Sequence, residues 1–552
     1  MHIVRIGDGS TETHSAEIIG AKAANLARMA ALGLPVPPAF VLPVELCAAI
    51  VNGDRQARLD LNKGLAEGIA FLEKATDTRL GDRRRPLLVS VRSGAARSMP
   101  GMLDTVLDVG CTPSAVQGLV RMTGHPRFAW DCRRRFLESY AGVVIGIEPV
   151  AFARRLGEMA AAEGVQDATG LDNEALERLA ESYRQMIEDA GANLPDDPME
   201  QLKAAAQAVY RSWMSDRAAT YRRLEHLEYL AGTAVTIQAM VFGNRGLSSG
   251  SGVAFSRDPS TGSAHPMIDV LFEAQGEDVV SGSRTPETED ALVRCAPPVA
   301  TQLRQTLIRL ENAFADVQDV EFTIEEGKLW ILQTRSAKRT PLAALRFALD
   351  LVKEGVIKPS EALLRLKGLD LTTLCNKRLT GVGEPAGRGT GASAGVAVGR
   401  AVFDSDSARR LVTSGNSVIL LRPETSTADV AGFGASEGIV TAVGGRTAHA
   451  ALVARQMGKP CIVGCSALKV EVARRTAQLG TRGIAEGDWL SIDGGAGAIY
   501  LGRGTIAIDR PDAELAEVES WRISVSPSET ANAPNTVHNS EIKHRSLSSA
   551  LT

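Results

Sequence analysis

The chain has 552 residues, 44% hydrophobic and 4% aromatic, with a formal net charge of −4. It is too long for one ordinary core and has the apolar content of a folded soluble protein, so roughly two to four domains are expected. Its mild acidity gives no electrostatic reason to expect a nucleic-acid partner, the opening MHIVRIGDGS lacks a signal-peptide core, and no apolar run approaches the roughly 20 residues that span a bilayer.

Seven cysteines show no paired spacing, which points to reduced thiols in a cytoplasmic setting. The clusters Arg83–Arg85 and Arg133–Arg135 read as solvated charged faces.

Residues 18–34, IIGAKAANLARMAALGL, carry Ala, Leu and Met at helical spacing, with Gly33 as a stop and Pro35, Pro37 and Pro38 preventing continuation. Lys22 falls in the first turn, as either a solvated lysine or part of a site. Residues 86–93, PLLVSVRS, read as a buried strand. Arg92 at its end can clamp a phosphate bidentately or sit in an ordinary surface ion pair. The following GAARSMPGMLDT is rich in small residues whose backbone amides can approach phosphate oxygens, although it lacks the P-loop pattern.

Residues 127–230 are largely helical in pattern, with a loop at NLPDDP. Residues 234–258 return to strand character around the turn-rich GNRGLSSGSG, and EAQGEDVVSGSRTP sets Glu277 and Asp278 beside a glycine turn. Residues 319–335, DVEFTIEEGKLWILQTR, predict a hairpin about Glu326–Gly327. Strand alternation puts Asp319 and Glu321 on one face and Val320, Phe322 and Ile324 on the other. That acidic pair is either an exposed polar face or part of an Mg²⁺ shell completed by substrate phosphates. A strict two-residue turn sets Gln333 opposite Val320, whereas a one-residue bulge brings it beside Glu321; both registers are open.

Residues 340–376 read as a structured helical connection, and the glycine-rich 381–393 marks a boundary. From 395 to 502, short strands, turns and one clear helix predict a compact mixed α/β domain. The remainder becomes progressively polar, and its end has the composition of a disordered tail.

Within that last domain, GIVTAVGG runs into Arg446, Thr447 and His449 and then the helical ALVARQMG. With Thr447 as the N-cap, His449 lies in the first helical turn. Free amides and partial positive charge there stabilise an attached phosphate and keep the imidazole neutral and nucleophilic. Arg446 and Thr447 can add oxygen contacts. A lone histidine is more often structural, but the glycine pair and helix start favour a covalent carrier.

The segment GGRTAHAALVARQMGKPCIVG resembles the phosphohistidine segment of the family containing pyruvate phosphate dikinase and phosphoenolpyruvate synthase. LRPETSTADV and EGDWLSIDGGAGAIYLG resemble the rest of that swivelling domain. The N-terminal half is similar to the dikinase branch through GAKAANLARMAALGLPVPPAF, LLVSVRSGAARSMPGMLDT, HPRFAWDCRRRF, VFGNRGLSSGSGVAFSRDPSTG, AQGEDVVSGSRTP and QDVEFTIEEGKLWILQTR. The likeness runs over residues 18–502 in family order.

The resemblance implies a multidomain α+β fold. Residues 1–340 would form an ATP-grasp nucleotide-binding region of several subdomains, 341–380 a helical linker, 381–505 a mixed α/β swivelling phosphohistidine domain, and 506–552 a polar, disordered tail. Lys22 and Arg92 would contact ATP phosphates, and Gly101 would belong to a mobile loop covering them. Gln238, Met240 and Val241 would line the adenine pocket. Glu277, Asp319, Glu321, Gln333 and Arg335 would complete the nucleotide, phosphate and Mg²⁺ site, with Asp319 and Glu321 as metal ligands. His449 would attack the β-phosphoryl of ATP, flanked by Thr447 and Arg446, with inorganic phosphate as a candidate further partner.

Two departures stand out. Ala448 replaces the serine usual before the histidine, which removes a hydroxyl but leaves the nucleophile; Thr447, the counterpart of the threonine targeted by a regulatory kinase in plant enzymes, is retained. About 50 residues follow the swivelling domain, where a phosphoenolpyruvate/pyruvate-binding TIM barrel takes roughly 250. The expectation is therefore the ATP half-reaction alone, with a separate barrel protein needed for pyruvate chemistry. The alternatives are phosphoryl transfer to another small molecule or a protein, or a nucleotide-sensing module without turnover.

Overall fold

The computed structural model describes residues 3–97, 99, 102–280, 284–424, 429–446 and 449–524. They form mixed α/β structure in two units, Met1–Gly250 with Glu321–Arg335, and Ser251–Val320 with Ser336–Thr552.

In the first unit the strand Thr233–Ala239 is rich in β-branched residues and buried along its whole length, as expected of a strand covered on both faces. It pairs antiparallel with Val89–Ala95 on one side and Ala39–Leu42 on the other. Thr105–Val109 and Val4–Ile6 complete this five-stranded sheet at its edges. The helices Arg55–Thr76, Pro113–Thr123, Pro126–Tyr140, Asn173–Asp189 and Pro198–Arg211 share one apolar core, which includes Phe40, Phe136, Phe152 and Tyr183. Four of them start where Asp54, Thr112, Asp172 and Asp197 accept hydrogen bonds from first-turn amides, which satisfies donors that a helix leaves open.

The helix expected over 18–34 is broken in two. Ala16–Ile19 ends at Gly20, and Ala21–Ala31 begins after it. Gly20 has φ +79°, and a Cβ there would lie 2.0 Å from the carbonyl oxygen of Gly94. Only glycine accommodates both the backbone conformation and that approach. The break therefore seats the start of the second helix, with Lys22, against the strand that carries Arg92.

The cluster Arg133–Arg135 is not a solvated face. Arg133 and Arg134 are buried. Arg134 donates to Asp131 through Nε and Nη2 at 3.1 and 2.8 Å and to Glu138 at 2.9 Å, and Arg135 Nε donates to Asp131 at 2.9 Å. Arg133 Nη1 donates to the Cys111 carbonyl at 2.6 Å. Spacings of three and four along the helix Pro126–Tyr140 bring these partners onto one face. Burial works against the Asp131 carboxylate, but Arg135 and Arg134 beside it hold its pKa well below the usual carboxylate range.

The second unit contains an eight-stranded sheet in the order 387–388, 498–501, 489–493, 396–402, 418–422, 438–441, 461–463, 390–393. The four strands 396–402, 418–422, 438–441 and 461–463 run parallel. The helix His449–Gln456 is the crossover between the last two. It packs through Ala450, Ala451 and Ala454, which are buried with Phe433, Ile439 and Cys461. A second sheet includes Met267–Phe272 paired antiparallel with Glu287–Thr288.

The helices Pro341–Lys353 and Pro359–Leu366 share a separate core with Asp512–Ser524. The structure thus differs from the polar tail expected from residue 506. Thr505–Asp509 pairs with Asn376–Thr380, and Val518 and Trp521 are buried. Leu515, Val518 and Trp521 of this helix dock it where the receiving helices supply the rest of the core. Residues 525–552 lie outside the described residues. Among the described residues, no helix is long and apolar enough to cross a membrane.

Candidate functional site

The first unit gathers residues from three separate segments. Lys22 comes from the helix after Gly20, Arg92 from the strand Val89–Ala95, and Glu321, Gln333 and Arg335 from the hairpin strands Gln318–Glu325 and Lys328–Ser336. Arg92 Nη2 lies 3.7 Å from Glu321 Oε2, and Gln333 Nε2 donates to Glu321 Oε1 at 3.4 Å. The hairpin turns at Glu326 and Gly327, both at positive φ. Of the two registers left open by the sequence, the one that sets Gln333 beside Glu321 matches this contact. Asn25 Nδ2 donates to the Thr334 carbonyl at 2.9 Å and ties the Lys22 helix to the same strand.

The Lys22 pKa is lowered to about 8, by desolvation first and then by Arg92 and Arg335, with Glu321 opposing them. Water still reaches the Lys22 side chain, which tempers the cost of holding it charged. Arg92 Nε is buried and has no acceptor among the described residues. Lys22 with Arg92 and Arg335 near it, and the buried Arg92 Nε donor, suit an anion bearing several oxygens.

Gln238 lies in the neighbouring strand Thr233–Ala239, and Met240 and Val241 follow just past its end. Gln238 is buried, lies opposite Ser90, and donates to the Pro37 carbonyl at 3.3 Å. The Met240 amide donates to the Leu88 carbonyl at 3.0 Å, and Val241 is buried. Gly101 lies outside the described residues.

The remaining predicted residues belong to the second unit. Asp319 is buried two positions before Glu321 on one strand. Glu277 is exposed in the short helix Gly276–Val280. His449 is the first residue of its helix, which follows the carboxyl end of the parallel strand Gly438–Thr441, a position where α/β sheets commonly place ligand sites. Thr447 lies outside the described residues.

Arg446 is held by a residue that the sequence did not single out. Its amide donates to Asp269 Oδ2 at 2.9 Å and its Nη1 to Oδ1 at 3.2 Å. Asp269 is buried in the strand Met267–Phe272. Burial raises its pKa, and Arg446 and then Arg455 oppose that rise. Arg455, on the His449 helix, is also buried. It donates through Nε to the Ala392 carbonyl at 2.9 Å, bonds the Arg446 carbonyl, and lies over the Phe255 ring at 5.2 Å. The available sequence signals were a single acid inside the apolar strand MIDVLF and a single arginine on an alanine-rich helix face.

A family model described as the pyruvate phosphate dikinase AMP/ATP-binding domain matches residues 56–291 and 296–351, more than half of the chain. The chain belongs to the pyruvate phosphate dikinase family. The mobile domain of phosphoenolpyruvate-utilising enzymes matches residues 415–497, which include His449. Pyruvate, phosphate dikinase from Clostridium symbiosum is 43% identical over 491 residues, covering 88% of this chain and 56% of that protein. The chloroplastic dikinase of Mesembryanthemum crystallinum is 41% identical over 94% of this chain and 55% of its own length. Chloroplastic pyruvate, phosphate dikinase 1 of Arabidopsis thaliana is also 41% identical, over 94% of this chain and 54% of its own length. The chain spans about half the length of these dikinases.

Proposed function

We propose that this chain carries out the ATP-dependent part of a dikinase-type phosphotransfer, with His449 as the covalent carrier. The observation that carries this reading is the gathering of Arg92, Glu321 and Arg335 near Lys22, with the Arg92 Nε donor left open. A triphosphate supplies an acceptor for Arg92 Nε and further oxygens for the cations beside it. Phosphoryl transfer depends mainly on positioning and charge neutralisation, which these side chains can provide.

In the proposed step an imidazole nitrogen of His449 attacks the β-phosphorus of ATP. The bond from that phosphorus to the α,β-bridging oxygen breaks, and AMP leaves with the electron pair. The β,γ-diphosphoryl group stays on the histidine, and its terminal phosphoryl can pass to inorganic phosphate. Lys22, Arg92 and Arg335 hold the phosphate oxygens, and Gln238, Met240 and Val241 line the base pocket. Asp319 and Glu321 are hard oxygen donors two positions apart on one strand, a set that fits Mg²⁺ when substrate phosphates complete its shell. Bound there, the ion neutralises charge on the phosphates. Glu277 is assigned to the same nucleotide site, and Arg446 and Thr447 to the surroundings of the phosphohistidine.

On this reading residues 1–340 form the nucleotide-binding region and 381–505 the swivelling domain. Pyruvate is the final acceptor only where a phosphoenolpyruvate/pyruvate-binding barrel is supplied. Incubation with ATP labelled at the β-phosphorus should yield acid-labile label on the wild type and none on His449→Ala. Equal labelling of both rules out His449 as carrier. ATP binding with neither labelling nor AMP release favours a nucleotide-sensing role instead.

A further inference from the structure

Outside the nucleotide cluster, the first unit has a second gathering of cations. Arg83, Arg84, Arg85 and Arg121, together with Met122, line a cavity of about 650 Å³. The three consecutive arginines lie on the turn between the short strands Arg79–Leu80 and Pro86–Leu87, and Arg121 lies in the last turn of the helix Pro113–Thr123. All four are exposed.

The turn is braced. Asp82 Oδ2 accepts from the amides of Arg84 and Arg85 at 2.9 and 2.8 Å. The Arg79 amide donates to the Arg85 carbonyl at 2.9 Å, and Arg121 Nη1 donates to the Arg83 carbonyl at 3.2 Å. Gly118 lets the turn lie flat on the helix, since a Cβ there would come within 2.7 Å of the Asp82 carbonyl oxygen. Asp82 is thus spent on the backbone. Among the described residues, Asp77 is the acid that ion-pairs with this group, and it reaches Arg85.

A merely solvated face has no need of such bracing, because flexible side chains would spread apart. Here the braced turn and the helix fix where four arginine side chains leave the backbone, around one concavity, on a chain whose net charge is −4. That arrangement carries a standing like-charge cost which a polyanion relieves. The cavity falls in the roughly 300–1,000 Å³ range of small-molecule sites, and planar guanidinium forks match phosphate oxygens bidentately.

We propose that Arg83, Arg84, Arg85 and Arg121 form a second anion site that binds a compact polyphosphate, separate from the nucleotide cluster. Inorganic tripolyphosphate is the probe, titrated calorimetrically into the full chain and into Arg92→Ala, which weakens the nucleotide cluster. Binding should persist in Arg92→Ala. It should weaken at least tenfold when Arg84→Ser and Arg121→Ser are combined with it, and only partly when both are changed to lysine. Arg84→Ser alone removes no hydrogen bond that braces the turn, so it should weaken binding severalfold with the circular dichroism spectrum unchanged. The inference is overturned if Arg92→Ala abolishes all tripolyphosphate binding, or if Arg84→Ser with Arg121→Ser leaves it unaltered. It is equally overturned if a polyglutamate peptide, and not tripolyphosphate, shows the arginine-dependent binding, since the surface would then serve an acidic protein partner.

Discussion

Arg446 and Asp269 are joined twice, amide to Oδ2 at 2.9 Å and Nη1 to Oδ1 at 3.2 Å. One carboxylate thereby fixes both the backbone and the side chain of a residue three positions before His449. Because Asp269 is buried, these bonds form away from competing water, and the turn entering the helix is held at its last described residue before His449.

Replacing Asp269 with alanine should therefore cost about 1.5–3 kcal/mol, the range for hydrogen bonds involving charged groups. Asp269→Asn should cost less, because an amide oxygen can still accept from the Arg446 backbone. Chemical denaturation of the two variants checks the order. Equal stability of Asp269→Ala and wild type would show that the pair contributes nothing net.

Lys22 sets a pH signature. Its folded pKa is about 8 against 10.5 for the free side chain, so between those values the unfolded chain binds more protons than the folded one. Stability linked to Lys22 therefore rises with pH across that window, as the cost of the confined charge is removed. An anion bound beside Lys22 favours its charged form, so nucleotide binding at pH 8–9 should take up protons. Calorimetry of ATP binding in buffers of different ionisation enthalpy measures that uptake. It should vanish in Lys22→Met, and its absence from the wild type would contradict the placement of phosphate beside Lys22.

Gly20 controls where Lys22 sits. Gly20→Ala places a Cβ against the Gly94 carbonyl in a backbone conformation that side chains rarely adopt. The strain should cost about 1–3 kcal/mol and shift the Lys22 helix away from the strand of Arg92. ATP affinity should fall along with thermal stability. A variant with normal stability and normal ATP affinity would refute this account of the helix break.

Asp131 should be the most consequential acid of the first unit's core. Asp131→Asn removes the carboxylate that Arg134 and Arg135 share and leaves the buried Arg134 paired with Glu138, a loss of about 3 kcal/mol, the lower end for a broken buried pair. In the wild type the depressed Asp131 pKa means that its stabilisation is present above the ordinary aspartate range. It is lost only as pH falls through the lowered value. Denaturation of wild type and variant as a function of pH tests both statements.

Much of the candidate site was legible because it is written in short motifs. The strand carrying Arg92, which runs on to Ala95, the hairpin about Glu326–Gly327 and the glycine turn leading to His449 depend on alternation and turn chemistry, which act between near neighbours. The fate of Arg133–Arg135 was not legible by the same route. A run of arginines has one sequence pattern whether it faces water or a buried Asp131, and only packing decides between the two. Asp269 was missed for a similar reason, since its partner lies in a distant segment.

The sequence by itself determined the family, the order of its motifs and the local elements that carry Lys22, Arg92, Glu321 and His449. Tertiary structure decided which of these groups share one electrostatic environment. Arg92 and Gln333 meet Glu321, and Arg335 joins them near Lys22, because Gly20 permits a helix to touch a strand and a hairpin lays its second strand beside the first. Arg446 meets Asp269 because sheet and turn are packed together. Such encounters depend on close packing and desolvation over the whole fold, and neither has a local sequence signature.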